Sequence, residues 1–215
     1  MTTTEQDLRA SEVAWDLEPL VDGRGEAGVD ELLAEAESLV AAVVARRGTV
    51  AALDAAGLAE LMRDVAAVHD RISRAGSYAG LRFAVDTGDA ARGALMQRVE
   101  ARSGVLASEL VFLDLEWLEV DDERADALLA DPQLAFCAHH LRTVRASRPH
   151  RLGEEAEQVD IQRSLTGVSA WGRLFDELTS ATRVVLDGEE APLELALSRL
   201  ASDEACARAA ARSTS

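Results

Sequence analysis

The chain has 215 residues and a formal net charge of -17, from 22 basic and 39 acidic residues. Proteins that bind a nucleic-acid backbone or an anionic membrane need a basic face, so this charge argues against both classes. Hydrophobic residues make up 48% of the chain, too many for intrinsic disorder, and aromatic residues make up only 4%. Ala and Leu dominate the apolar set and favour helices. We therefore predict an all-α, mainly helical protein.

The cysteines and the N-terminus indicate a cytoplasmic protein. Cys137 and Cys206 lie far apart in sequence, which is typical of reduced thiols rather than of a disulfide scaffold. Residues 1–12 are polar, lack the features of a signal peptide and are predicted to be disordered. Charged residues interrupt every apolar run before the ~20 residues that a membrane span requires, so no membrane partner is expected.

The first half of the chain predicts three helices. The first covers residues 30–47, with Gly48 as its C-terminal cap. The second runs from 57 to 84. The segment 86–89 (Asp-Thr-Gly-Asp) ends it and offers an N-cap to a third helix, which continues to Glu119. Two consecutive helices of this length with a short connection should form a long antiparallel hairpin.

Two glycines fall inside the second predicted helix. Gly76 and Gly80 each cost up to about 1 kcal/mol relative to Ala in a helix interior. We expect a neighbouring helix to approach closely at that face and to compensate for this cost.

The second half predicts shorter elements. Apolar periodicity and Pro132 in a first-turn position indicate helices over 122–129, 132–146 and 154–164. A break at Arg148-Pro149-His150 separates the last two. A helical stripe then follows, made of Trp171, Leu174, Phe175 and Leu178. Residues 182–193, with Asp187-Gly188 at their centre, predict one small β-hairpin, followed by helices over 193–200 and 202–212.

No catalytic constellation is visible in the residues. The histidines are His69, His139, His140 and His150, and none has the His at i+4 and the adjacent Glu of a helical zinc site. Cys137 with His140 is the one zinc candidate. The alternative interpretation is that Cys137 is a partly buried thiol and that the neighbouring imidazoles lie at the surface or cap a helix. The pairs Glu154-Glu155 and Glu189-Glu190 are interpreted as solvated faces. Phosphate loops and a nucleophile elbow are absent from the sequence. We predict no catalytic, metal-binding or cofactor-binding residue.

Four motifs together carry a family resemblance. In this order and spacing they resemble the N-terminal region of the oligoendopeptidase F family, zinc metallopeptidases related to thimet oligopeptidase. The match spans nearly the whole chain. The motifs are Trp15-Asp16-Leu17; Ser77-Tyr78-Ala79 through Asp86–Asp89; Arg148–Leu152 followed by Glu154-Glu155; and Ser164–Trp171 followed by Leu174–Leu178.

The resemblance implies that this chain is a helical lobe without catalytic residues. In that family the His-Glu-x-x-His helix and a third, acidic zinc ligand lie well downstream, and this chain ends at Ser215 before them. Zinc is therefore expected only in a full-length parent. The chain would form one wall of a channel that admits short peptides, and its partner would be the missing C-terminal catalytic half. Residues 164–171 would be an architectural turn between helices.

The resemblance also suggests a domain division. It consists of the disordered residues 1–12, an N-terminal helical subdomain over 13–110, an oligopeptidase-F-type helical domain over 111–180, and a β-hairpin with the start of the catalytic domain over 181–215.

Two other functions are compatible with the sequence. One is a stand-alone helical interaction module that binds a partner through an exposed apolar groove and has no enzymatic activity. The other, an acidic mimic of nucleic acid, depends on the charge alone.

Overall fold

A computed structural model describes residues 14–186 and 188–200, which form eight α-helices and a two-stranded sheet. This confirms the mainly helical prediction. The helices are α1 Gly25–Val44, α2 Ala55–Val85, α3 Ala90–Glu119, α4 Asp122–Leu129, α5 Ala138–Ala146, α6 Glu154–Thr166, α7 Val168–Ala181 and α8 Leu193–Leu200. The strands are β1 Arg183–Leu186 and β2 Glu189–Pro192, and 3₁₀ turns occupy Glu18–Val21, Val50–Ala52, Pro132–Leu134 and Arg148–His150.

Helices α2 and α3 form the predicted long hairpin. They contain 31 and 30 residues, or about 45 Å each at ~1.5 Å per residue. The carboxylate of Asp54 caps α2 by accepting from the amide of Gly57 at 2.8 Å, and Asp89 caps α3 by accepting from the amide of Ala91 at 2.8 Å. The second cap confirms the prediction for the segment 86–89. Bonds from two backbone amides lower the pKa of Asp89.

The buried core runs along this hairpin. Helix α1 packs against both α2 and α3. At one end the core joins α1 and the N-terminal 3₁₀ turn to α2 and α3, and at the other end it joins α2 and α3 to α4 and α5. A smaller cluster of Ala36, Val40, Val68 and Leu106 lies among the three long helices. The buried faces of the three long helices therefore meet along this core.

Helix α1 begins earlier than predicted. It starts at Gly25 and ends at Val44, whereas residues 30–47 were expected. Within this additional stretch Gly28 is buried, and a Cβ atom there would stand 2.4 Å from the carbonyl oxygen of Val21. This position requires the missing side chain because the 3₁₀ turn before α1 folds back onto the helix.

The expectation for Gly76 and Gly80 was wrong. A Cβ atom added at either residue would meet nothing within 4 Å, so no neighbouring helix approaches closely there. Close approaches occur at other helical glycines: a Cβ atom on Gly28 would stand within 3.0 Å of Val21, and one on Gly104 within 3.0 Å of Leu165.

The predicted helix over 132–146 is interrupted. Pro132–Leu134 forms a 3₁₀ turn, capped by the Asp131 carboxylate on the amide of Gln133 at 2.8 Å, and α5 begins only at Ala138. The turn buries Leu134 completely and leaves Cys137 only 6% exposed. Burial of these two side chains against the hairpin outweighs the continuation of a regular helix.

Arginines bind the C-terminal end of α3. The guanidinium of Arg145 donates to the carbonyls of Trp117 and Val120, each at 2.9 Å, and pairs with the Asp122 carboxylate. The last carbonyls of a helix lack the regular i+4 amide, and here the carbonyl of Trp117 accepts from the amide of Val120 at 3.3 Å in addition to Arg145. The indole of Trp117 donates to the carbonyl of Leu141 at 3.0 Å. The hydrogen bond from Arg145 lowers the pKa of Asp122.

The small β-hairpin is confirmed. Val184 in β1 faces Ala191 in β2 in an antiparallel register, and Gly188 has the positive φ of +84° that the Asp-Gly turn predicts. The predicted disordered residues 1–12 and the predicted helix over 202–212 lie outside the described residues. The division into domains stays a prediction.

Candidate interaction surface

The zinc candidate has no support in the described geometry. The thiol of Cys137 is buried and donates to the carbonyl of Leu134 at 3.5 Å, while His139 and His140 are exposed. Burial raises the pKa of the Cys137 thiol. Within residues 14–186 and 188–200, no group of three His, Cys, Asp or Glu side chains could hold a metal ion. The described residues therefore do not fit the zinc that the resemblance implies for a parent, and Cys206 lies outside them.

Three of the four paired carboxylates are exposed, as predicted: Glu155 on α6, and Glu189 and Glu190 on β2. Glu154 is instead half-buried and forms an ion pair with Arg47 at 2.5 Å. An open groove of about 500 Å³ lies near Glu154, between α3 and residues 148–154. Its wall includes Arg151, which pairs with Asp114 at 2.6 Å. Arg151 and Glu154 of this groove are thus each paired with an opposite charge.

Exposed apolar side chains concentrate in the C-terminal part of the described chain. Among the described residues, every buried apolar side chain except Ala191 lies before residue 145. Ten of the fifteen exposed large hydrophobic side chains lie between residues 152 and 197. The helices α6 and α7 contain no buried residue. This segment therefore has almost no core of its own, and it exposes apolar area to solvent.

Helix α6 attaches this segment to the hairpin. The side chain of Leu165 lies against Gly104 of α3, where a Cβ atom would stand 2.9 Å from a Leu165 methyl group. The amide of Gln158 donates to the carbonyl of Ser108 at 3.4 Å. Gly104 thus allows α6 to lie close to α3, and α6 in turn positions α7.

The apolar stripe of α7 faces outward. The residues at positions i, i+3, i+4 and i+7 of this stripe are 70%, 40%, 66% and 61% exposed, in the order Trp171, Leu174, Phe175 and Leu178. Val168, one turn earlier, is 80% exposed. We call these four stripe residues the α7 face. An amphipathic helix normally turns such a stripe toward the core, so its exposure marks a surface that another polypeptide should cover.

Polar contacts hold α7 in this orientation. The guanidinium of Arg173 lies 3.5 Å from the carboxylate of Glu100 on α3 and 3.7 Å from that of Glu177. Both Arg173 and Glu177 are less exposed than the stripe. At the start of α7, a Cβ atom on Gly167 would stand 2.8 Å from the carbonyl oxygen of Arg163, so the sharp link from α6 requires glycine. The charged side of α7 therefore faces the body of the protein.

The sequence indicated the stripe but not its exposure. Hydrophobic periodicity marks the residues of the α7 face correctly and assigns them to packing. Periodicity does not distinguish a helix side that packs within the chain from one that another polypeptide covers. The sequence did offer one signal of this orientation. Arg173 and Glu177 lie on the side of α7 opposite the stripe, and such a charged pair can contact an acidic or basic neighbouring element just as an apolar side contacts a core.

Comparisons with known proteins agree on one family. Residues 116–183 match the family model described as Oligopeptidase F. The fold matches the crystal structure of oligoendopeptidase-F from Enterococcus faecium with a TM-score of 0.67 and 21% sequence identity, over 85% of this chain and 37% of that one. No curated protein matches the sequence. The resemblance to the N-terminal region of this family is therefore confirmed, and the chain spans little more than a third of the matched structure.

The helices were also compared with the length and hydropathy of membrane spans. None of the helices within residues 14–186 and 188–200 is both long and apolar enough to cross a bilayer.

Proposed function

Because the chain resembles the N-terminal region of the oligoendopeptidase F family in sequence and in fold, we propose that it is the non-catalytic helical lobe of a zinc metallopeptidase of this kind. In the assembled parent, this lobe forms one wall of the channel that admits short peptides, and the parent hydrolyses them. The zinc ligands and the general base belong to the catalytic half.

One observation carries this proposal. The buried core ends at residue 144 except for Ala191, and the following segment, which includes most of the family match, exposes its apolar side chains. A self-sufficient protein of this length has enough residues to bury such side chains. A lobe that packs against a second polypeptide leaves them for that interface.

The first test uses the 215-residue chain alone. We expect the purified protein to carry no stoichiometric zinc by mass spectrometry and to leave a quenched fluorescent peptide uncleaved. Peptidase activity that a chelator abolishes would contradict the proposal. The variant His140→Ala controls for the one zinc candidate: any zinc that it removes would place a metal site in this chain.

The second test addresses the parent. The DNA that follows the codon for Ser215, read in all frames, should encode a His-Glu-x-x-His segment within a few hundred codons. Co-expression of that polypeptide with this chain should give chelator-sensitive cleavage of short peptides but not of folded proteins. A reading frame without such a segment would contradict the proposal.

The exposed α7 face also favours a second candidate, a stand-alone interaction module without enzymatic activity. This module would recruit a partner unrelated to peptidases. A stable complex of the chain with a protein that lacks the His-Glu-x-x-His segment, together with a failed second test, would favour the module.

A further inference from the structure

We infer that the α7 face is the docking surface for the catalytic part of an oligoendopeptidase-F-like polypeptide, and that this partner presents an apolar groove with basic edges. The inference rests on the proposed function and adds to it the residues and the chemistry of the contact between the two parts.

The spacing on α7 favours a helix that inserts into a groove. Trp171, Leu174, Phe175 and Leu178 follow the i, i+3, i+4, i+7 pattern by which amphipathic helices anchor in apolar grooves. Large aromatic side chains dominate the binding energy of such contacts. Trp171 and Phe175 are 70% and 66% exposed, so both are available to a partner.

The rest of the chain is a poor candidate for covering this face. The residues outside the described structure are 1–13, 187 and 201–215. In sequence, 201–215 contains only Ala and Cys206 as apolar residues, and 1–13 contains Met1, Leu8 and Val13 as its larger ones. These residues offer too little apolar area to enclose an indole and a phenyl ring. The matched Enterococcus faecium structure is much longer than this chain, and its further length provides the natural occupant.

Charge argues against a second copy of the chain. Each copy carries a net charge of -17. In sequence, the hairpin and α8, which contacts α7, carry the acidic residues Asp187, Glu189, Glu190 and Glu194 against the basic residues Arg183 and Arg199. Of these, Glu189, Glu190, Glu194 and Arg183 are exposed. Two such surfaces would repel each other, whereas Arg or Lys at the edges of a partner groove would be attracted. Arg173 of α7 is turned toward Glu100 and does not offset these acidic groups.

The test compares two substitutions of equal charge. The partner probe is the polypeptide with the His-Glu-x-x-His segment encoded after the Ser215 codon, and its affinity for this chain is measured by titration calorimetry. F175D should weaken binding at least about 30-fold, the loss typical of a central aromatic anchor. V85D is the matched control, because Val85 is 80% exposed at the C-terminal end of α2 and is not part of the α7 face, and it should leave the affinity unchanged.

A second readout reports docking at the α7 face directly. In a W15F background, Trp171 is the exposed indole and Trp117 the buried one. Binding should shift the fluorescence of Trp171 to shorter wavelength. Circular dichroism of F175D and V85D should match that of the unsubstituted 215-residue chain, because the side chains of Phe175 and Val85 are both exposed.

The outcomes separate the inference from the proposed function. A complex that F175D leaves intact, or that V85D weakens equally, overturns the docking surface while the proposed function stands. Sedimentation that shows a dimer of this chain, abolished by F175D, makes a second copy the occupant and also overturns the inference. If no polypeptide with the His-Glu-x-x-His segment is encoded, both the proposed function and the docking inference fail.

Discussion

Gly28 on α1 offers the sharpest test of how this fold is packed. Adding one methyl group by substitution with Ala should have opposite effects on stability at Gly28 and at Gly76, although both glycines lie in helices. A Cβ atom at Gly28 would stand 2.4 Å from the carbonyl oxygen of Val21 and 2.9 Å from its Cβ, whereas real Cβ atoms essentially never come within 3.0 Å of another heavy atom. In G28A the 3₁₀ turn would therefore have to move by at least about 0.6 Å. Val21 is fully buried, so this movement would disturb the core.

The magnitude follows from two opposing effects. Overpacking of a rigid site costs about 1–3 kcal/mol, and replacing Gly by Ala inside a helix gains up to about 1 kcal/mol. We expect G28A to lose about 1–2 kcal/mol, which lowers the melting temperature by roughly 2–8 °C in a protein of this size. G76A is the matched control, since a Cβ atom there meets nothing within 4 Å. It should gain about 0.5–1 kcal/mol.

Urea unfolding of the two variants measures both values. The midpoints should move in opposite directions with an unchanged slope, because neither substitution alters the area exposed on unfolding by much. Equal effects of G28A and G76A would refute the argument that α1 and the preceding turn are held together by a close backbone approach.

Two further predictions concern helix ends. Because the pKa of Asp89 is lowered in the folded state, its contribution to stability is present above the unfolded pKa and is lost as pH falls through the folded pKa. The comparison is with D89N, whose side-chain amide also caps a helix. The difference in free energy of unfolding between the wild type and D89N should be constant from about pH 5 to 8 and should decrease below about pH 4. Urea titrations at each pH measure this difference, and a difference that does not change with pH would contradict the role of the charge. Replacing Arg145, whose side chain is 12% exposed, by Met should cost about 2–3 kcal/mol, because the carbonyls of Trp117 and Val120 lose charged donors. Calorimetry measures this loss, and stability within about 0.5 kcal/mol of the wild type would refute it.

Much of the local structure could be predicted because it depends on local residues. The N-cap of Asp89, the positive φ of Gly188 and the period of the long helices each depend on residues that lie close together in sequence. The start of α1 and the interruption before α5 were predicted wrongly. At both places the chain makes contacts that the neighbouring sequence does not show: Val21 lies against Gly28, and Leu134 is buried.

The sequence by itself determined the helical class, the long hairpin and the family resemblance, because composition, periodicity and motif order survive without coordinates. Only the tertiary structure decided which apolar stripes are buried. The stripes of α2 and α7 have the same helical period, yet Leu58 and Leu61 of α2 are buried while Trp171 and Phe175 of α7 are exposed. The physical reason is that an apolar stripe favours burial against any apolar surface. Which surface covers it depends on the other polypeptide segments that lie near it in the folded protein. In this chain α1 and α3 pack against α2 and cover the first stripe, whereas the second is exposed to solvent.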